Sequence, residues 1–183
     1  MPEKLTRRGY LSMNWDSTVG FLSNFLAPQL EMERNYIRPP GSVEELQFLT
    51  SCSRCGDCKS ACPEMVIELF AIQDGVKITG TPYLDFSNAA CTFCNKCMEV
   101  CPTDALNRAS LQEQLRIGTA EIDTSLCLGY QDVLCDYCVR ACPIDGAINL
   151  IVGKPMIDTE TCTGCGVCRL NCISEDRAIQ IKP

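Results

Sequence analysis

Residues 52–62 read CSRCGDCKSAC, and residues 91–101 read CTFCNKCMEVC. Both place cysteine at C-x2-C-x2-C-x3-C. The spacing recurs at Cys162, Cys165, Cys168 and Cys172. It recurs again at Cys127, Cys135, Cys138 and Cys142, with the first gap widened from two residues to seven. With Cys52, Cys55, Cys58, Cys62, Cys91, Cys94, Cys97 and Cys101, these tetrads use all 16 cysteines of the 183-residue chain. Proline follows the last cysteine of three tetrads, as Pro63, Pro102 and Pro143.

This pattern has a physical reading. A cubane needs four thiolates that converge from different directions. Three closely spaced cysteines wrap a loop around three of its corners. The fourth opens the next segment, and in two-cluster proteins it ligates the other cluster. The trailing proline suits that turn because it has no N–H to leave unpaired. Disulfide frameworks do not repeat one tight tetrad four times. Zinc sites use paired C-x2-C knuckles, often with histidine. The spacing therefore predicts four 4Fe–4S clusters, with all 16 cysteines as metal ligands.

Composition narrows the chemistry further. Histidine is absent, which removes Ser-His and Cys-His pairs and histidine-ligated haem or zinc. The formal charge of −7 argues against a nucleic-acid partner. No apolar run approaches the ~18 residues of a membrane span. The chain reads as an electron carrier, not an enzyme, with no catalytic residue. Four oxidised clusters would add about 8 negative charges to the formal −7. Arg54, Lys59, Lys96, Arg140 and Arg169 lie in or beside the tetrads as candidate offsets.

The tetrads form an internal repeat. Short apolar segments follow each fourth cysteine: Val66-Ile67, Ala105-Leu106, Ala147-Ile148 and Ala178-Ile179. Strand-like approaches ending in an acidic turn precede three tetrads, at Tyr83-Leu84-Asp85, Glu121-Ile122-Asp123 and Met156-Ile157-Asp158. Each repeat reads as strand, cluster loop, short helix. The expected fold is α+β, with two bacterial two-cluster ferredoxin-like units over residues 51–183. Residues 1–50 form an N-terminal arm and linker. Within it, Trp15, Val19, Leu22 and Leu26 share one helical face, ended near Pro28, suited to docking on a partner or a second copy, to packing on the chain's own ferredoxin core, or to an uncleaved export signal. Ser42 reads as an N-cap with Glu45 three residues on. Leu111 to Leu115 reads as a helical turn, and Leu128 to Leu134 as a longer cluster loop turning at Gly129-Tyr130.

The tetrads with their flanks resemble the ferredoxin-type proteins of periplasmic nitrate reductase and methylamine utilisation systems. The matching stretches are RPPG (38–41), CSRCGDC (52–58), GTPY (80–83), CDYC (135–138) and CTGCG (162–166). The likeness implies an electron-transfer or assembly protein of a periplasmic molybdenum (nitrate) reductase system. That family is exported by a twin-arginine signal, and TRRGYL (6–11) resembles its box. The apolar stretch after that box is interrupted by Asn14, Trp15, Asp16, Ser23 and Asn24, so a cytoplasmic address is the first expectation. A non-exported variant also resembles the polyferredoxin subunit of tungsten aldehyde oxidoreductase complexes. That likeness implies relay between a tungsten enzyme and a flavin subunit, with stacking into filaments through self-association of the arm. This is the leading functional expectation, and the periplasmic nitrate reductase system is its alternative.

Two cluster pairings fit the spacing. Sequential pairing joins tetrad one with two, and three with four. Nested pairing joins one with four and two with three, and resembles the four-cluster subunits of membrane-associated molybdenum enzymes. Nesting is the expectation carried forward. It groups Cys52, Cys55 and Cys58 with Cys172, and Cys162, Cys165 and Cys168 with Cys62. It also groups Cys91, Cys94 and Cys97 with Cys142, and Cys127, Cys135 and Cys138 with Cys101.

Overall fold

Cysteine at every third residue leaves little room for long elements. Left-handed residues sit just before each of three short helices: Gly56 (φ 82°), Asn95 (φ 64°) and Gly166 (φ 83°). They break the backbone ahead of α2 (Asp57–Ala61), α3 (Lys96–Glu99) and α6 (Val167–Leu170). Each of these helices carries the third cysteine of its tetrad. A fourth, α5 (Tyr137–Ala141), does the same for the third tetrad. Helices this short do not stand alone in water; packing holds them.

The computed structural model describes residues 34–113 and 116–183. Asn35–Pro183 forms one compact unit. Helix α1 (Glu45–Ser51) leads into the first tetrad, and α4 (Arg108–Glu113) follows the second. The described strands are β1 (Ile67–Leu69), β2 (Pro82–Leu84), β3 (Thr119–Ile122), β4 (Ile148–Ile151), β5 (Lys154–Ile157) and β6 (Ile179–Lys182). They pair antiparallel as β1–β2, β4–β5 and β3–β6, with registers Ile67↔Leu84, Ile148↔Ile157 and Ile122↔Ile179.

Two ferredoxin-like halves emerge. In the second, the β4–β5 hairpin joins tetrads three and four, and β3 and β6 close its ends together. In the first, β1–β2 is the hairpin, and a single Ser42↔Leu106 bridge stands where β3–β6 stands in the second. Each half has its own core. Ile37, Phe48, Val66, Ile67, Leu84 and Leu106 pack with cysteines of tetrads one and two. Ala120, Ile148 and Ile179 pack with cysteines of tetrads three and four. The three expected strand approaches are present, and each ends in an aspartate that closes its turn. Asp85 accepts from Ser87 N–H at 2.9 Å, Asp123 from Ser125 N–H at 2.9 Å, and Asp158 from Glu160 N–H at 2.9 Å.

The expected capping box at Ser42 does not form. The Ser42 hydroxyl donates to the Pro39 carbonyl at 2.6 Å, and α1 starts three residues later, at Glu45. Glu45 is drawn away by Arg38, whose Nη2 and Nε reach its two oxygens at 2.6 and 3.1 Å. A buried guanidinium outcompetes a backbone N–H for a carboxylate. The helix expected over Leu111 to Leu115 starts earlier, at Arg108, and Leu115 lies outside the described residues. Gly129-Tyr130 falls in a 3-10 turn over Leu128–Gln131, as the widened loop required. The amphipathic segment at Trp15–Leu26 and the TRRGYL stretch lie outside the described residues.

Candidate metal centres

Among the described residues, two pockets in each half are lined by four cysteines. Cys52, Cys55 and Cys58 share the first with Cys101. Cys91, Cys94 and Cys97 share the second with Cys62. Cys127, Cys135 and Cys138 share the third with Cys172. Cys162, Cys165 and Cys168 share the fourth with Cys142. The four pockets are alike in size, each spanning about 290–330 Å³ of space that includes open solvent.

This arrangement overturns the nested pairing. Cys62 lies with Cys91, not with the fourth tetrad, and Cys101 lies with Cys52, not with the third. The reason is local. Helix α2 ends at Cys62, and α2 packs on α3 of the adjacent repeat. Helix α5 ends at Cys142 and packs on α6. Neighbouring repeats meet first, so the fourth cysteine crosses to its neighbour.

The loops around the pockets are strained in a repeated way. Left-handed residues flank the second cysteine in three tetrads: Arg54 and Gly56, Phe93 and Asn95, Gly164 and Gly166. For Arg54 (φ 59°) and Phe93 (φ 53°) that conformation costs about 1–2 kcal/mol each. Such strain concentrates at ligand-holding segments. Tetrad three departs from the pattern. Its wider loop places the left-handed turn at Asp132 (φ 60°) instead.

Burial raises the pKa of several of these thiols. It pushes Cys58, Cys97 and Cys168 up to about 12, and Cys91 and Cys138 up to about 11. Neighbouring cysteines push the same way, including Cys62 on Cys91 and Cys172 on Cys138. A thiolate-binding metal group reverses this by supplying the missing positive charge, and it must expel protons as it binds.

The donor set fits a polynuclear iron–sulfur group. Four thiolates ring each pocket without meeting at a point. Among the described residues no group of three Cys, Asp or Glu is placed to hold a single metal ion. Zinc would bring its sulfurs to about 2.3 Å from one centre. A second observation agrees. Two buried side-chain polar atoms among the described residues lack any partner, Asn95 Oδ1 and Thr163 Oγ1. Both residues line cysteine pockets, the second and the fourth.

The second and fourth pockets adjoin. The Cys91 N–H donates to the Cys165 carbonyl at 2.8 Å. Ile117 N–H donates to the Thr163 carbonyl at 3.0 Å. Arg169 on α6 reaches the Phe86 carbonyl in the other half at 3.3 Å and the Ile179 carbonyl at 2.6 Å. Glycine makes this joint possible. A Cβ on Gly166 would stand 2.3 Å from the Phe86 ring of the other half, and within the second half one on Gly164 would stand 2.5 Å from the Gly118 backbone. Of the candidate cations, Arg169 alone is placed in this joint. Lys59 pairs with Glu68, Arg140 with Asp136, and Arg54 reaches the Lys77 carbonyl.

The 4Fe-4S dicluster domain matches residues 51–105 and again 90–145. Ferredoxin-type protein NapG of Escherichia coli (strain K12) is 37% identical over 163 residues, covering 80% of this chain and 70% of that protein. Methylamine utilization ferredoxin-type protein MauM of Methylobacillus flagellatus is 36% identical over 162 residues, covering 80% and 68%. MauM of Methylorubrum extorquens is 33% identical over 175 residues, covering 88% and 79%. The chain belongs to the NapG/MauM ferredoxin-type family. It is a ferredoxin-type electron-transfer protein built to carry 4Fe–4S clusters.

The second domain match joins tetrads two and three, whereas the pockets join three and four. The geometry decides here, because any two adjacent tetrads satisfy a spacing pattern but only one pairing brings sulfurs together. No helix among the described residues is long and apolar enough to cross a membrane. Sequence reasoning did not single out Asn95 or Thr163. Asn95 carried a signal: it stands where tetrads one and four have Gly56 and Gly166.

Proposed function

We propose that the 16 cysteines hold four 4Fe–4S clusters and that the protein relays single electrons along them without bond chemistry. Each cluster, when bound, supplies a one-electron couple. The chain's own contribution is order. The first pocket neighbours the second within one half, and the fourth neighbours the third within the other. The Cys91–Cys165 hydrogen bond supports a join between second and fourth. The relay then runs first, second, fourth, third, with its two ends at the Cys52 and Cys127 pockets.

By likeness to NapG and MauM, the protein serves a redox enzyme of the periplasm, such as a molybdenum nitrate reductase, as electron carrier or assembly protein. The segment before Asn35, which precedes the compact unit, serves as the docking or export element of that system. The tungsten enzyme, the flavin subunit and the filament implied by the second resemblance have no counterpart among the matched relatives. The observation that carries the reading is the set of four similar pockets, each with three cysteines of one tetrad and the fourth of its neighbour.

Anaerobic purification from the native cell, with metal analysis of co-eluting protein, tests it. About 16 iron atoms per chain, four for each cluster, support the cofactor reading. Fewer than about 12 would refute it. Co-elution with a molybdenum enzyme supports the assignment of system. Stoichiometric tungsten with a flavin subunit would overturn that assignment. Deleting residues 1–34 is expected to abolish the co-elution; unchanged co-elution would count against the arm.

A further inference from the structure

The four pockets differ in how they present polar side chains to sulfur. In the two end pockets a hydroxyl already rests on the crossing cysteine. Thr103 Oγ1 lies 3.6 Å from Cys101 Sγ, and Ser174 Oγ lies 3.2 Å from Cys172 Sγ. Both stand two residues after the fourth cysteine. In the two inner pockets that position holds Glu64 and Ile144, and neither can serve as a neutral donor to sulfur. It is in these inner pockets that the two unpartnered polar atoms occur, Asn95 Oδ1 and Thr163 Oγ1.

A buried hydroxyl or amide left without a partner costs about 1–3 kcal/mol. Native folds rarely keep such a group unless something absent from the protein satisfies it. The thiolate and sulfide sulfurs of an iron–sulfur group accept hydrogen bonds and donate none. Facing them, the Thr163 hydroxyl can act only as a donor. The Asn95 amide, turned about its last torsion, offers its NH2 in place of its oxygen. Asn95 also serves the left-handed backbone at φ 64°, but glycine does that at the equivalent positions without any side chain. The amide is therefore surplus to the turn.

We propose that Thr163 and Asn95 are the potential-setting donors of the two inner sites, each closing on a sulfur of the group held there. A hydrogen bond to sulfur stabilises the more negative, reduced state, and so raises the reduction potential. The end sites receive the same help from Thr103 and Ser174. Each site then has one side-chain donor, supplied at the end sites by the crossing cysteine's segment and at the inner sites by the tetrad loop itself. The inference rests on the four-cluster reading.

The test is an anaerobic redox titration of the full-length iron-loaded chain, followed by electron paramagnetic resonance, with iron counted on the same samples. The iron count tests the cluster reading separately from the donor assignment. Thr163→Val is expected to keep wild-type iron content and to lower the potential of one cluster. The expected fall is about tenfold in the reduction equilibrium, or 59 mV for a one-electron couple. Thr163→Ser should restore the wild-type value. Asn95→Gly preserves the turn and should lower a different single cluster by a similar amount. If Thr163→Val fails to load, Thr163→Ala, which adds no bulk, takes its place. Unchanged potentials in the loaded Thr163 and Asn95 variants would overturn the proposal. So would a fall that Thr163→Ser reproduces, since that marks a structural effect.

Discussion

Arg38 holds the first pocket together, and its removal should release one cluster before the others. The side chain is buried. Its guanidinium bonds Glu45 twice, Thr81 Oγ1 at 2.9 Å and the Pro82 carbonyl at 2.6 Å. It also lies over the Phe48 ring at 4.5 Å. Glu45 belongs to α1, and Thr81 and Pro82 lead into β2; Phe48, Gly80 and Pro82 line the first pocket. One cation thus clamps two walls of that pocket.

Arg38→Ala removes one partner of a buried ion pair, which costs about 3–5 kcal/mol. Losing the Thr81 and Pro82 bonds acts in the same direction, but such terms do not add. Glu45 keeps the Tyr36 hydroxyl at 2.9 Å, which favours the middle of the range, about 4 kcal/mol. At 1.36 kcal/mol per decade, that is about a thousandfold. Iron–sulfur proteins unfold irreversibly, so the quantity to read is a rate. Bleaching of the cluster absorbance in fixed guanidinium should accelerate by up to about a thousandfold, with about a quarter of the amplitude leading. Arg38→Lys, which keeps the charge but not the fork, should fall between. Acceleration below about fivefold, or bleaching of all four clusters in one step at the wild-type rate, would refute the clamp.

Further expectations bear on pairing and on the joint. Cys101→Ser should lose the same spectral component as Cys58→Ser, with about 4 of 16 iron atoms missing in each; a match with Cys138→Ser would revive the nested arrangement. Gly164→Ala, at φ 74° and 2.5 Å from rigid backbone, should cost about 3 kcal/mol and lower the thermal midpoint of bleaching, while Gly146→Ala, with open space around it, should cost about 1 kcal/mol. An equal fall in both would mean that the close approach to Gly118 is not a constraint. Ser174→Ala should lower the potential of one end cluster and, by freeing the Ala178 N–H that the hydroxyl caps at 2.7 Å, cost about 1 kcal/mol of stability. An unchanged potential would separate that hydroxyl from the sulfur.

Much of the fold is legible in the sequence alone. Cysteine spacing is a short-range property, and so are the strand approaches with their closing aspartates at Asp85, Asp123 and Asp158. Pairing was not legible, because every tetrad carries the same signal. What chooses the partner is the packing of α2 on α3 and of α5 on α6, a contact between repeats that no spacing encodes. The capping box at Ser42 failed for a related reason. The pattern is correct locally, but Arg38, held by Thr81 and Pro82 from far along the chain, claims Glu45. The donors Asn95 and Thr163 escaped notice because each looks ordinary in sequence; only burial without a partner marks them.

The route through the molecule depends on the joint more than on any single site. Two halves that each hold two clusters conduct end to end only if an inner site of one lies against an inner site of the other. Here the first cysteine of tetrad two and the second cysteine of tetrad four share a backbone hydrogen bond. Gly166 of the second half lies against the Phe86 ring of the first, where a Cβ would stand 2.3 Å from that ring. Electron transfer weakens steeply with separation, so a methyl group at that contact would do more than lower stability. On the proposed relay, it would part the halves at the step that joins them. The end sites have different surroundings: Leu134, nearly fully exposed, and half-exposed Tyr137 and Ile173 lie at or beside the third pocket, while Arg54 and Pro102 border the first. On the proposed relay, Gly166→Ala should slow electron transfer between the halves even in molecules that keep full iron content, and an unchanged rate would refute that step.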